Sequence, residues 1–209
     1  MVHIYYHIYA IDGVESIVDE QFDLIKKHFN FPYILNIGIS IADDNISIKN
    51  LLEKLKPYIR DVRAKGNEWT TLDLIRIDKD KFGESDYILY IHTKGASKQN
   101  EDRYKNIISW RHLMNYFNIE KVKNVFQLFE KTEFNTYGVL FKGNFYSGNF
   151  WWGKANYLKS INLEKKKLNR FSAELDFIQN GKNWKPYSAY DNDINDDYSV
   201  YFKKEDYII

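Results

Sequence analysis

The sequence predicts an α/β fold, with a mainly parallel sheet covered by helices on both faces. Strand-like and helix-like segments alternate through the first half of the chain, the strand-like ones are short and dense in Ile and Tyr, and polar turns follow them directly. The 209 residues, 44% of them hydrophobic, suffice for one sizeable core, so one domain is expected over 1–209. No repeat, low-complexity tract or linker divides it.

Val2 to Ile11 alternates apolar with polar or aromatic residues, as a strand does, and Asp12-Gly13 closes it with turn chemistry. In the helix that follows, Ile17, Val18, Phe22, Leu24 and Ile25 approximate one face. Asp19 and Glu20 lie near its start and Lys26 and Lys27 near its end, the signs that suit the helix dipole. Phe31 to Ile41 is a second strand, with Pro32 near its start, where a missing N–H is tolerated. Ile48, Leu51, Leu52 and Leu55 place a helix over Ile48 to Tyr58, with Ser47 as a candidate N-cap. Asp61 to Ala64 is a short strand, Lys65-Gly66-Asn67-Glu68 a polar turn, and Trp69 to Phe82 a helix. Tyr87 to Ile91 is an apolar strand running straight into His92-Thr93-Lys94-Gly95. Helices are then expected over Asn106 to Phe117, Lys121 to Lys131, Tyr157 to Ile161 and Arg170 to Asn180, and strands over Tyr137 to Phe141 and Ser199 to Phe202.

Composition narrows the function. Lys plus Arg (30) nearly balances Asp plus Glu (29), which argues against a surface built for nucleic acid. Cysteine is absent, which rules out disulfides and thiolate metal sites and leans toward a cytoplasmic protein. No apolar run approaches the ~20 residues that span a bilayer, and Met1 to Tyr9 reads as a first strand rather than a signal peptide.

Ligands on parallel sheets gather beyond the carboxyl ends of the strands, which selects the loops after Tyr9, Val62 and Ile91 and around Ser147. There Lys94 is suited to neutralise a diphosphate, Thr93 to hydrogen-bond it, and Gly95 to let the backbone come close. His92 is suited to donate to a phosphate, ligate a metal or move a proton; a capped strand end with an exposed lysine is the structural alternative. Arg111 fits either a phosphate or an acidic residue on a neighbouring helix. Phe171, Leu175 and Ile178 form a stripe expected to be buried. Glu174 beside it is either a general base raised by a partly apolar site or an ordinary surface carboxylate. From Tyr146 to Leu158, small, polar and large aromatic residues crowd together. Ser147 and Asn149 offer hydrogen bonds, Gly148 permits close approach, and Trp151 and Trp152 offer flat walls with N–H donors. That suits a sugar ring, and equally an aromatic core strand leaving a glycine turn. For metal, Asp78-Lys79-Asp80 is expected at the wrong end of the sheet, and the acidic run Asp191 to Asp197 reads as a solvated loop. A divalent manganese or magnesium ion held mostly by substrate phosphates would leave little trace in sequence.

Tyr87 to Gly95, Trp110-Arg111, Ser147 to Trp152 and Arg170 to Glu174, in that order, resemble nucleotide-sugar-dependent glycosyltransferases of the GT-A kind. The similarity is greatest to the small domains of algal large DNA viruses and bacterial polysaccharide clusters related to rhamnan-synthesis proteins, and it covers essentially the whole chain. The resemblance implies a GT-A-like (Rossmann-like) mixed sheet, mostly parallel, with a nucleotide-binding half near 1–100 and an acceptor-side half near 101–209. It implies transfer of a hexose or deoxyhexose from a nucleoside diphosphate sugar, UDP favoured, to a glycan or glycoprotein acceptor, in the host cytoplasm if the protein is viral. Lys65-Gly66-Asn67-Glu68 resembles the family's Lys-Gly-Arg-Asp turn, with Asn for Arg and Glu for Asp, which places Lys65 and Asn67 with Thr93, Lys94, Gly95 and Arg111 at the donor. His92-Thr93-Lys94 occupies the strand end where many GT-A enzymes carry an Asp-x-Asp metal site. Glu174 resembles the carboxylate base of inverting members, with His92 beside it in the catalytic set. The alternative is a non-catalytic carbohydrate-binding module using the aromatic segment 146–152. A two-carboxylate hydrolase would need an acid facing Glu174, and none is evident in the sequence.

Overall fold

The computed structural model describes residues 1–42, 48–99, 101–162 and 170–208. Strand β1 (Val2–Ala10) leads to helix α1 (Val14–His28), then β2 (Tyr33–Ile41), α2 (Lys49–Leu55), β3 (Ile59–Ala64), α3 (Trp69–Asp78) and β4 (Tyr87–His92). The second half runs α4 (Tyr104–Asn115), a π-helical turn (Tyr116–Glu120), α5 (Val122–Lys131), β5 (Thr136–Gly138), β6 (Trp151–Lys154), α6 (Ala155–Lys159), α7 (Arg170–Leu175) and β7 (Pro186–Ser188). The strands form one seven-stranded sheet in the order β3-β2-β1-β4-β6-β5-β7. β1, β2, β3 and β4 are mutually parallel, β6 is antiparallel to both its neighbours, and β5 pairs in parallel with β7. The architecture is a mixed, mostly parallel α/β sheet flanked by helices, GT-A-like as expected.

Helices cover both faces because the central strands bury both sets of side chains. Along β1, Val2, Ile4, Tyr6, Ile8 and Ala10 enter one core with α1, α4 and α5, while Tyr5 enters the other beneath α3 and α7. α1 turns Val14, Ile17, Val18, Gln21 and Ile25 inward, with Glu15 in its first turn and Lys26, Lys27 and His28 in its last.

Several boundaries differ from the sequence expectation. The last strand is not Ser199–Phe202: Asp197–Ser199 is a short 3₁₀ turn, and the outer strand is the three-residue Pro186–Ser188. Proline is tolerated at the start of such an edge strand because its missing N–H breaks no interior ladder. The strand expected over Tyr137 to Phe141 shortens to Thr136–Gly138, followed by an isolated Phe141–Tyr146 bridge. α7 stops at Leu175 instead of continuing to Asn180, and a 3₁₀ turn covers Ile178–Asn180. Of the predicted stripe Ile178 is buried, but Phe171 is 72% and Leu175 39% exposed, and Ala173 and Phe177 take their place in the core. Ser47 lies outside the described residues.

The aromatic segment after Tyr146 supplies β6, between β4 and β5 in the sheet. Successive residues of a strand point to opposite faces, so the two indoles part company. Trp152 stacks on Phe29 at 6.0 Å, Trp151 on Tyr90 at 5.3 Å and Phe177 at 5.7 Å, and both are fully buried.

Candidate functional site

β1 and β4 pair in parallel with His7 opposite His92, so their carboxyl ends lie side by side. Beyond them opens a cavity of about 730 Å³, bounded by those ends, the Gly66–Glu68 turn, the segment 92–98, Phe171 and Glu174 of α7, and Tyr198. Its size falls in the range of about 300–1,000 Å³ common for small-molecule sites. Thr93 stitches the strand ends together: its N–H donates to the His7 carbonyl at 3.0 Å, and its hydroxyl accepts the Tyr9 N–H at 2.9 Å.

The Lys94 ammonium lies 3.9 Å from the centroid of the Trp110 ring and 5.2 Å from that of Tyr198, a cation–π arrangement at the cavity wall. Gly95 has φ +89°, and a Cβ there would stand 2.8 Å from Ile107 Cγ2, so the chain reverses at this point only with glycine.

Arg111 does not reach the cavity. Its Nε and Nη2 donate to the two Glu20 carboxylate oxygens at 3.2 and 2.9 Å, and its Nη1 donates to the Lys94 carbonyl at 3.1 Å. Of the two uses open in the sequence, it serves the ion pair with a neighbouring helix, and it braces Lys94 from behind. Burial works to raise the Glu20 carboxyl, but hydrogen bonds from His112 and Arg111 outweigh it and hold the group at about 2.

The turn Tyr146–Asn149 closes through Asn149 N–H to Tyr146 O at 3.0 Å with Gly148 at φ +87°; Asn149, at φ +55°, also takes a left-handed conformation. This turn binds three cavity residues together. His92 Nε2 donates to the Gly148 carbonyl at 2.8 Å, and since a carbonyl only accepts, that nitrogen carries the proton. The Gly148 N–H donates to Glu174 Oε1 at 2.8 Å. Asn149 Nδ2 donates to Glu68 Oε2, and its Oδ1 accepts Trp151 Nε1 at 3.0 Å. Ser147, Asn149, Trp151 and Trp152 are buried, and with Gly148 they stand behind the residues that line the cavity. Lys65 is likewise outside: it is exposed, in a left-handed turn, and its N–H donates to the Ile41 carbonyl. Asn67 lines the cavity, with its Oδ1 accepting the Trp69 N–H at 3.0 Å at the start of α3. The cavity thus gathers Asn67, His92, Thr93, Lys94, Gly95 and Glu174 from the predicted set.

Two cavity residues escaped the sequence reading as site groups. Glu68 accepts the Tyr90 hydroxyl at 2.9 Å and the Asn149 amide on the same oxygen. Burial alone would raise its carboxyl; His92, His7 and these two hydrogen bonds outweigh burial and hold it below the usual glutamate value. His7, 2% exposed, is pushed down to about 3 by burial, so it is neutral at physiological pH. The available signal was the parallel pairing of the first and fourth strands, which sets His7 level with His92.

Asp78 lies at the far end of α3, where it accepts Tyr5, Arg60 and Lys81, as expected of a structural carboxylate. The 191–197 loop is more engaged than a solvated run: Lys142 sits 3.5 Å from the buried Asp197, and Asp191 accepts the Phe141 N–H at 2.7 Å. Among the described residues no group of three or more His, Asp or Glu is placed to hold a metal ion. The β4 end presents an ammonium from Lys94 and an N–H from His92 where an Asp-x-Asp site would present carboxylates, so this donor set does not fit a protein-held divalent ion. No helix among the described residues is long and apolar enough to cross a membrane.

No protein-family model matches the chain, and no curated protein shows significant similarity to it. Fold and cavity together define the class: an α/β protein with a mixed, mostly parallel sheet and a cleft at the carboxyl edge of its parallel strands.

Proposed function

We propose that the protein is a glycosyltransferase that moves a hexose or deoxyhexose from a nucleoside diphosphate sugar, UDP favoured, to a hydroxyl of a glycan or glycoprotein acceptor. The observation that carries this reading is one strand-edge cavity lined both by Lys94 and by Glu174. Lys94 balances the negative charge that grows on the diphosphate as the bond from the anomeric carbon to the phosphate oxygen breaks. Glu174 takes the proton of the acceptor hydroxyl as its oxygen bonds to that carbon. His92 acts through Gly148, whose carbonyl it binds and whose N–H orients Glu174. The binding-module alternative loses support because Tyr146, Phe150, Trp151 and Trp152 are all buried and offer a glycan no aromatic surface.

A melting-temperature screen against UDP, GDP, TDP and CMP, with and without manganese, tests the reading. Ligand at about 100 times Kd stabilises by about 2.7 kcal/mol, which raises Tm by roughly 5–11 °C for a chain of this size. Absence of a shift with every nucleotide refutes the transferase, and glycan binding indifferent to nucleotide points to the module instead.

A further inference from the structure

The floor of the cavity holds two polar atoms without a hydrogen-bond partner among the described residues, His7 Nε2 and Glu68 Oε1. Both residues line the cavity, and neither atom is sealed inside the protein. Their neighbours decide what each can do. The Thr71 hydroxyl lies 3.3 Å from the Gly38 carbonyl and 3.1 Å from His7 Nδ1. The carbonyl only accepts, so it takes the threonine proton, and the threonine lone pair faces a protonated Nδ1. His7 Nε2 is then a bare acceptor, in a ring that burial keeps neutral. On Glu68, the Tyr90 and Asn149 donors both occupy Oε2 and leave Oε1 toward the cavity. Thr71, which meets His7 Nδ1 at 3.1 Å, lies one helical turn after Glu68 at the start of α3, which brings the two residues to the same part of the cavity wall.

A pair of neighbouring acceptors selects a ligand with a pair of neighbouring donors. We infer that His7 Nε2 and Glu68 Oε1 form a subsite for a vicinal diol, each accepting the proton of one of two adjacent hydroxyls. A cation is the poorer occupant, since no third ligand group stands with this pair among the described residues. The inference rests on the transferase reading, under which two parts of the donor carry such a diol, the ribose and the transferred sugar ring. Glu68 here holds substrate and takes no proton. The strand end thereby divides its labour, with Lys94 toward phosphate, Glu174 toward the acceptor, and His7 with Glu68 toward donor hydroxyls.

Isothermal titration calorimetry on the wild-type protein separates the cases with three probes: UDP, 2′-deoxy-UDP and UDP-glucose, or their guanosine counterparts if GDP gives the larger melting shift. Loss of a hydrogen bond to a charged group costs about tenfold or more in affinity. If the diol is the ribose, the 2′-deoxynucleotide binds at least about tenfold more weakly than the parent. If it is the hexose, the two nucleotides bind alike, and the nucleotide sugar binds more tightly than either. Glu68→Gln and His7→Phe then erase whichever difference the wild type shows. Equal binding of all three probes to a wild-type protein that does bind the nucleotide overturns the subsite and leaves the transferase standing. No binding of any probe overturns both. Because the deoxygenated ligand interrogates unaltered protein, a misfolded variant does not blunt the test.

Discussion

Replacing Gly148 with alanine perturbs the one turn that holds His92, Glu174 and, through Asn149, Glu68. The residue has φ +87°, and a Cβ there would stand 2.5 Å from Met114 Sδ and 3.1 Å from Trp110 Cζ2. A left-handed conformation costs an L-residue about 1–2 kcal/mol, and overpacking a filled site adds about 1–3 kcal/mol. Reduced freedom of the unfolded chain returns about 0.4–1 kcal/mol. The net loss is about 1–4.6 kcal/mol, which lowers Tm by roughly 2–18 °C. Gly143→Ala is the control. Its φ is +82°, yet nothing lies within 4 Å of the added Cβ, so it carries the backbone term alone. Differential scanning calorimetry on both variants, followed by nucleotide titration, reads stability and site together. Gly148→Ala is expected to melt well below Gly143→Ala and to weaken nucleotide binding, because a shifted turn releases both the Gly148 carbonyl from His92 and the Gly148 N–H from Glu174. Equal melting temperatures for the two variants would refute the packing argument, and unchanged affinity would refute the turn's role in the site.

Glu174→Gln is expected to lower turnover by about 10²–10⁴-fold with donor and acceptor saturating; near wild-type turnover sinks the base assignment. Trp152→Ala, which empties a fully buried indole site stacked on Phe29, is expected to cost about 3–5 kcal/mol in urea denaturation. A small loss of stability together with lost glycan binding would instead restore a sugar-platform role. Acid should destabilise the fold in two windows. His7 has its folded pKa lowered from 6.5 to about 3, so its contribution is complete above pH 6.5 and declines as the unfolded chain takes up the proton below it. Glu20, held at about 2 against 4.5, contributes fully above pH 4.5 and loses that contribution as pH falls toward 2. Stability profiles for His7→Phe should flatten between pH 6.5 and about 3, and those for Glu20→Gln between 4.5 and about 2; profiles parallel to wild type contradict the assigned groups.

Local pattern was enough for the first half of the chain. Val2–Ala10, Tyr33–Ile41 and Tyr87–His92 are apolar runs bounded by turn residues, and the helices between them carry one apolar face, so a parallel sheet with its ligand edge after His92 was legible. Thr93, Lys94 and Gly95 were found for that reason: a position immediately after a buried strand is a local fact. Phe171 and Leu175 were misplaced because α7 turns its Ser172–Ala173 side to the core, and which side of so short a helix is buried is set by what it packs against rather than by its own spacing.

The sequence by itself determined the element order of the first half, the edge of the sheet at which the cavity opens, and the presence there of His92, Thr93, Lys94 and Glu174. Only the tertiary structure decided which of two open readings each ambiguous residue takes. Arg111 turns to Glu20 because α1 packs against α4. Trp151 and Trp152 enter opposite cores because their segment is drawn into the sheet between β4 and β5. His7 and Glu68, 61 positions apart by number, become one floor of one cavity. Periodicity reports what a residue's near neighbours allow; pairing, burial and the last unfilled acceptor depend on groups distant in the chain, and those meet only in the fold.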